Sequence, residues 1–296
     1  MVLLYIDIFR SQRSFELFQN LVKLLNKRLA DTTNNLNSNP ESPFYNIVKF
    51  YISNFNLKPD QVTFITFNYD IQIEKLIDEM GRDETIKTNL LNFPHCYQLR
   101  QFVISENENI EMKDGKMKYP KESFEIGSNE KKRVKILKLH GSINWHGFYK
   151  LPIRTKETLF DKDREMIIYS NKTLFTETVR FTPRGRMFSS VPMIVPPVIH
   201  KSELFHENMD HIWKQAEEKL KEATEIIIFG YSFPESDFES FYLFKRALKD
   251  RNDINLSIIN PDPSVLKWFL KINDMNKINF YESPLDFLKH IKLHNG

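Results

Sequence analysis

Cysteine is almost absent, since Cys96 stands alone in 296 residues. One thiol forms no intramolecular disulfide and supplies too few ligands for a cysteine-based zinc cluster. A disulfide scaffold and a zinc ribbon are therefore excluded, and a reducing cytoplasm is the expected setting. Glycine is scarce as well, with eight residues at positions 81, 115, 127, 141, 147, 185, 230 and 296. No two of them stand one residue apart, so there is no Gly-x-Gly loop to bring backbone amides against a pyrophosphate. Neither sign of charge dominates: 42 basic against 39 acidic side chains leave a formal net charge of +3. That balance removes any global reason to expect a nucleic-acid polyanion or an acidic membrane as partner. Long hydrophobic runs are missing too. The apolar start, Met1 to Arg10, is interrupted by Asp7, has no basic leader and is too short to span a bilayer, so it is read as part of the fold.

What is present is the composition of a soluble globular protein, 41% hydrophobic and 27% charged. Phe15, Phe18, Leu21, Val22, Leu25 and Leu29 recur at helical spacing between Ser14 and Ala30. Asp31 to Pro40, rich in Asn and Ser, then reads as a loop, and Pro43 to Phe55 as a second helix. Val62 to Phe67 is the first sheet strand, followed by a helix over Ile71 to Met80. From Met209 the pattern becomes regular: helix to Ala223, strand Glu225 to Phe229, helix Phe238 to Leu248, strand Asn255 to Ile259, helix Ser264 to Lys271, strand Ile278 to Tyr281, helix Leu285 to His290. Close alternation of strand and helix predicts an α/β fold with a Rossmann-like, doubly wound, mainly parallel sheet and helices on both faces. The unbroken apolar run Ile226 to Phe229 fits a strand covered on both sides.

Two stretches break the pattern. Residues 81–133 and 149–197 read as inserted, irregular or helical cover segments within one domain over 1–296. The second ends in Val191 to Pro197, whose three prolines predict neither a central strand nor a helix interior.

Chemistry-bearing residues gather at strand ends. The period-two strand Val134 to Leu139 stops at His140, and Gly141 then permits a turn or a close approach. Asn68-Tyr69-Asp70, His140-Gly141-Ser142, Gly230 to Pro234 and Asn260-Pro261-Asp262 each follow an apolar strand directly. In a parallel sheet those ends share one edge, where open α/β folds bind ligands. Each also has a purely structural reading. Asn68 or Asp70 serves equally as a cap for the helix near Ile71, Gly230 and Ser232 as an ordinary turn, and Asn260 to Pro263 as a helix start.

Taken in order, Thr66 to Asp70, Leu139 to Ser142, Val195-Pro196-Pro197, Gly230 to Pro234 and Ile259-Asn260 resemble the sirtuin superfamily. They are most similar to the sirtuin-like, NAD-hydrolysing domains of bacterial antiphage-defence proteins, and the resemblance runs from about Val62 to about Asp262. It implies that His140 is a general base, that Asn68 contacts the nicotinamide ribose and positions a water, and that Asp70 lies near the nicotinamide amide. It further implies that Gly230 and Ser232 hold phosphates and that Asn260 lies near the adenosine ribose. The partners it implies are NAD or ADP-ribose, with a homo-oligomer or an associated defence protein left open.

The sequence departs from that pattern in two places. No glycine precedes Asn68, so the glycine-rich phosphate loop is absent. Either the chain begins downstream of that strand and loop, or it is a diverged member, a silent module that binds a nucleotide or a partner. The four-cysteine zinc module is also absent, which favours NAD hydrolysis over protein deacetylation, and no zinc is expected. A zinc enzyme built on His200, His206 and His211 is a third reading, but spacings of six and five place them on no shared helical face. Nucleic-acid binding lacks a concentrated basic stripe, and the three tryptophans and 25 phenylalanines are read as core.

Overall fold

A computed structural model describes residues 42–54, 61–82, 95–99, 102–105, 111–113, 116–118, 123–124, 134–148, 166–169, 180–181, 188–195, 207–251, 253–272 and 278–295, together with helical Leu24 and Arg28. In chain order its first elements are α1 (Pro43–Asn54), β1 (Thr63–Thr66), α2 (Gln72–Gly81) and the strands β2 (Phe102–Ser105), β3 (Glu111–Lys113), β4 (Lys116–Lys118) and β5 (Ser123–Phe124). Next come β6 (Lys135–Lys138), β7 (Gly141–Phe148), β8 (Met166–Tyr169), β9 (Arg180–Phe181) and β10 (Phe188–Ile194). The last part holds α3 (Glu207–Glu222), β11 (Glu225–Phe229), α4 (Phe238–Leu248), β12 (Asn255–Ile259), α5 (Leu266–Leu270), β13 (Ile278–Tyr281) and α6 (Pro284–Asn295). The chain divides into two compact units, residues 1–38 with 58–213 and residues 39–57 with 214–296, the division passing through α3.

The second unit is built on a parallel sheet in the order β11-β12-β13. Asn255, at the start of β12, is exposed, and the next four residues, Leu256 to Ile259, are all buried. A strand buried on both faces loses its polar alternation, which is why its sequence reads as an unbroken apolar run. On one face Ile259 joins Ile47 and Phe50 of α1 and Phe287, Leu288 and Ile291 of α6, with Ile227 and Tyr281 packed against them. A helix that precedes β1 in sequence thus belongs to a core made largely by the last quarter of the chain. Ser42 starts α1 by accepting a hydrogen bond from the Tyr45 amide at 3.1 Å. Removing that cap in Ser42→Ala is expected to cost about 1 kcal/mol, read as a lower urea midpoint at unchanged slope.

The first unit contains the parallel pair β1-β6, in register from Thr63 opposite Lys135 to Thr66 opposite Lys138. It also contains a six-stranded sheet in the order β5-β2-β8-β7-β10-β9 and the antiparallel pair β3-β4. Only the β2-β8 pairing of the six-stranded sheet is parallel.

Strand content exceeds what local pattern predicts, and the expectation for the proline run is corrected. Where they are described beyond α2, residues 81–133 and 149–197 hold the strands β2 to β5 and β8 to β10 and one short helical turn at His95–Tyr97. Some of these strands pair with partners far away in sequence, as in Phe102 opposite Met166, and local pattern does not reveal such pairing. Pro192 lies inside β10, between β7 and β9, and the register with β7 shifts just after it. A bulge is the place where a strand tolerates a residue with no amide proton. The glycine at 141 begins β7 at once, so the chain passes from one sheet into another at His140. The parallel sheets and mixed helix and strand content agree with an α/β class, whereas the six-stranded sheet is mainly antiparallel rather than mainly parallel; the helix read over Ser14 to Ala30 lies outside the described residues apart from Leu24 and Arg28. Among the described residues no helix is long and apolar enough to cross a membrane.

Candidate functional site

Parallel pairing brings the ends of β1 and β6 together, and the ladder continues past them. The Leu139 amide donates to the Thr66 carbonyl at 3.0 Å and the Ile143 amide to the Tyr69 carbonyl at 3.0 Å. Asn68-Tyr69-Asp70 and His140-Gly141-Ser142 are therefore neighbours, as the sequence expects of parallel strand ends. His140 is only 3% exposed. Its ring stands edge-on to Phe67, with centroids 5.4 Å apart, and tilted against Tyr69 and Trp213 at 6.1 and 6.4 Å. The Trp213 indole donates to the Leu139 carbonyl at 2.9 Å, and the Val195 amide donates to the His140 carbonyl at 2.9 Å. The Val195 carbonyl in turn accepts the Tyr69 hydroxyl at 3.0 Å. The backbone on both sides of the imidazole is thus held by groups from three other segments.

Asn68 is exposed; its amide donates to Thr66 Oγ1 at 3.1 Å, and its carboxamide makes no hydrogen bond among the described residues. Asp70 behaves differently. Its carboxylate accepts the Gln72 amide at 3.0 Å, an Asx-type turn at the entry to α2, whose N-cap position is held by Ile71.

Beneath these ends lies a polar group that the sequence reading overlooked. Lys138, only 1% exposed, donates through Nζ to Glu74 Oε1 at 3.0 Å and to the Asp70 carbonyl. Tyr97 donates to the same Glu74 oxygen at 2.9 Å, Asn144 donates to the Tyr97 hydroxyl at 3.1 Å, and Ser142 donates to Asn144 Oδ1 at 2.6 Å. Burial, with the Glu74 carboxylate beside it, pushes the Tyr97 hydroxyl well above its ordinary range and keeps it a donor. A lysine at the end of an apolar strand is the one local sign of such a partner, because lysine is rarely buried unpaired. A second imidazole, His146, also lies in the core of this unit. Burial lowers it to about 3 against the opposing pull of a hydrogen bond to the Ile143 backbone, so it is neutral at ordinary pH.

In the second unit the ends of β11 and β12 are neighbours in the same way. The Gly230 amide donates to the Ile259 carbonyl at 2.9 Å. That proton is committed to the fold, so a phosphate at this turn would be met by later groups, such as the exposed Ser232 hydroxyl. Gly230 has a φ of +68° with open space around its missing Cβ. Asn260 is buried; it donates to the Tyr231 carbonyl at 3.2 Å and accepts the Asp262 amide at 2.9 Å. One N–H and one lone pair of its carboxamide lie beyond these two bonds. The Tyr231 hydroxyl donates to buried Asp237 at 2.6 Å, and burial followed by that carboxylate raises it strongly. Phe233 takes a φ of +51°, a strained position for a side-chain-bearing residue, with its ring packed on Phe244 and Phe269 at 5.2 and 4.8 Å. The apolar hollow beside this turn, lined by Phe233, Phe238, Phe241 and Trp268 among others, measures about 100 Å³. Ordinary ligand pockets hold about 300–1,000 Å³, so it is too small for a nucleotide. Of the zinc candidates only His211 is described, on α3; His200 and His206 lie outside the described residues.

Among solved structures the chain is similar to a sirtuin solved to explain sirtuin substrate affinity, at 14% identity and a TM-score of 0.29, the match covering 56% of this chain and 59% of that one. It is also similar to Sir2 in complex with an inhibitor, 2′-O-acetyl-ADP-ribose and a deacetylated p53 peptide, at 14% identity and a TM-score of 0.30, over 86% of each chain. The chain thus spans less than two thirds of the first of these. No protein-family profile and no curated protein matches it.

Proposed function

We propose that this chain is a sirtuin-like domain that binds NAD and hydrolyses it to nicotinamide and ADP-ribose in bacterial antiphage defence. The observation that carries the reading is the juxtaposition of His140 with the Asn68 turn at the ends of the β1-β6 parallel pair. In the reaction, a water oxygen bonds to C1′ of the nicotinamide ribose. The bond from C1′ to the pyridinium nitrogen breaks, and nicotinamide leaves as a neutral base with the bonding electrons. The proton of the water passes to His140, since an imidazole accepts protons near neutral pH. Asn68, with its exposed carboxamide, orients that water and the ribose. The charge that develops on the ribose as the bond breaks is steadied by fixed dipoles around it, among which Asn68 and the Asp70 turn are assigned. Ser232 and the Gly230 turn are assigned to the phosphates, and Asn260 to the adenosine ribose.

The purified chain incubated with NAD is expected to release nicotinamide and ADP-ribose in equal amounts, measured by chromatography. Release no faster than in a protein-free blank would overturn the reading.

A second reading rests on the scarcity of glycine in this sequence, where no two glycines stand one residue apart. It is a catalytically silent module that keeps the nucleotide or a partner without turnover. Calorimetry discriminates between the two: ADP-ribose binding with no nicotinamide release favours the silent module.

A further inference from the structure

We propose that the buried Lys138-Glu74 pair, with Tyr97, Asn144 and Ser142, is a positioning device that grips the Asn68-Tyr69-Asp70 turn from below. What it positions for rests on the hydrolase reading above; the grip itself does not. Lys138 and Glu74 have side chains 1% and 5% exposed and lie 3.0 Å apart. Two ions taken out of water pay a desolvation penalty that their attraction often fails to return, and well-packed apolar residues of similar volume frequently leave a fold as stable or more so. Stability alone therefore does not call for ions in this core.

What the ions add is a main-chain contact that no apolar pair can make. Lys138 donates to the carbonyl of Asp70, outside any strand ladder. Ser142, at the far end of the same chain of hydrogen bonds, is 3.2 Å from the carbonyl of Tyr69 while it donates to Asn144. The Asp70 carbonyl is thus held by Lys138, and the Tyr69 carbonyl before it, which accepts the Ile143 amide, lies against the far end of the same connected set at Ser142. The residue just before them, Asn68, is left exposed with its carboxamide uncommitted among the described residues. Tyr97 and Asn144 complete the set by orienting the Glu74 carboxylate that holds the lysine. Reactive groups need placement to within about 0.5 Å, which comes from supporting residues locked by their own hydrogen bonds.

The test replaces the pair together, as Glu74→Leu with Lys138→Met, in the full chain. The expected result has three parts. The urea midpoint stays level or rises; amide exchange quickens in a peptide over residues 68–72 and not across the rest of the first unit; and kcat for nicotinamide release falls about 10- to 100-fold with KM little changed, the loss expected of a misplacement near 1 Å. Unchanged exchange over 68–72 overturns the grip, as does faster exchange throughout the unit with a lowered midpoint, which marks a merely structural pair. Tyr97→Phe keeps both charges and removes only one hydroxyl. It is the variant that decides if the double replacement does not fold, with the same local exchange and kcat readouts. Wild-type chain that releases no nicotinamide sinks the hydrolase reading, and the exchange measurement then judges the grip alone.

Discussion

Gly141→Ala is expected to unfold at a much lower urea concentration than the native chain, by about 2–5 kcal/mol. Gly141 has a φ of +82°, and a Cβ built there lies 1.9 Å from the Met193 carbonyl oxygen and 2.9 Å from its carbon. Those are backbone atoms of the partner strand, since β7 and β10 pair with Gly141 opposite Ile194, and no rotamer change moves them away. The left-handed conformation costs an L-residue about 1–2 kcal/mol. Forcing a methyl group into filled space adds about 1–3 kcal/mol more. Gly230 is the internal control: its φ is +68°, but nothing lies within 4 Å of its missing Cβ. Gly230→Ala is expected to carry the conformational part alone, about 1–2 kcal/mol. Equal losses in the two variants, measured by urea unfolding, would show that the close crossing beside His140 does not exist.

The second large effect is on activity. His140→Ala is expected to slow nicotinamide release about 10²- to 10⁴-fold, the range for loss of a general base. The same substitution also empties space among Phe67, Tyr69 and Trp213, so some stability is lost with it. His140→Asn fills more of that space while offering no basic nitrogen, and separates the two effects. Both variants are expected to lose activity alike, and the asparagine variant to keep more of the native unfolding midpoint and near-ultraviolet circular dichroism. A folded variant that turns NAD over at the native rate would remove His140 from the mechanism.

How far the sequence reading reached differs between the two units. In the second, the strands Glu225–Phe229, Asn255–Ile259 and Ile278–Tyr281 and the helix Phe238–Leu248 occur at the boundaries read from pattern. There α4 and α5 each lie between two strands close in sequence, so local periodicity and topology agree. In the first, Phe102–Ser105 and Phe188–Ile194 pair with strands tens of residues away, which local pattern does not reveal. Pro192 argued against a strand until a register shift beside it explained how the proline is accommodated.

The site divides in the same way. That His140 and Asn68 each terminate an apolar strand is a property of local pattern, and parallel pairing turned it into contact between their segments. The roles of Glu74, Tyr97 and Asn144 had no such local sign: each is an ordinary polar residue until long-range packing removes its water and leaves only the others as partners. Composition and periodicity alone establish the absence of cysteine and glycine motifs, the α/β alternation and the strand-end placement of the candidate residues. Burial and pairing in three dimensions decide which of their polar groups already have partners, as with the Asp70 carboxylate, the Gly230 amide and two of the bonds of the Asn260 carboxamide. They also select which keep a side chain open, as with Asn68, because a polar group's availability depends on neighbours that the linear order does not place beside it.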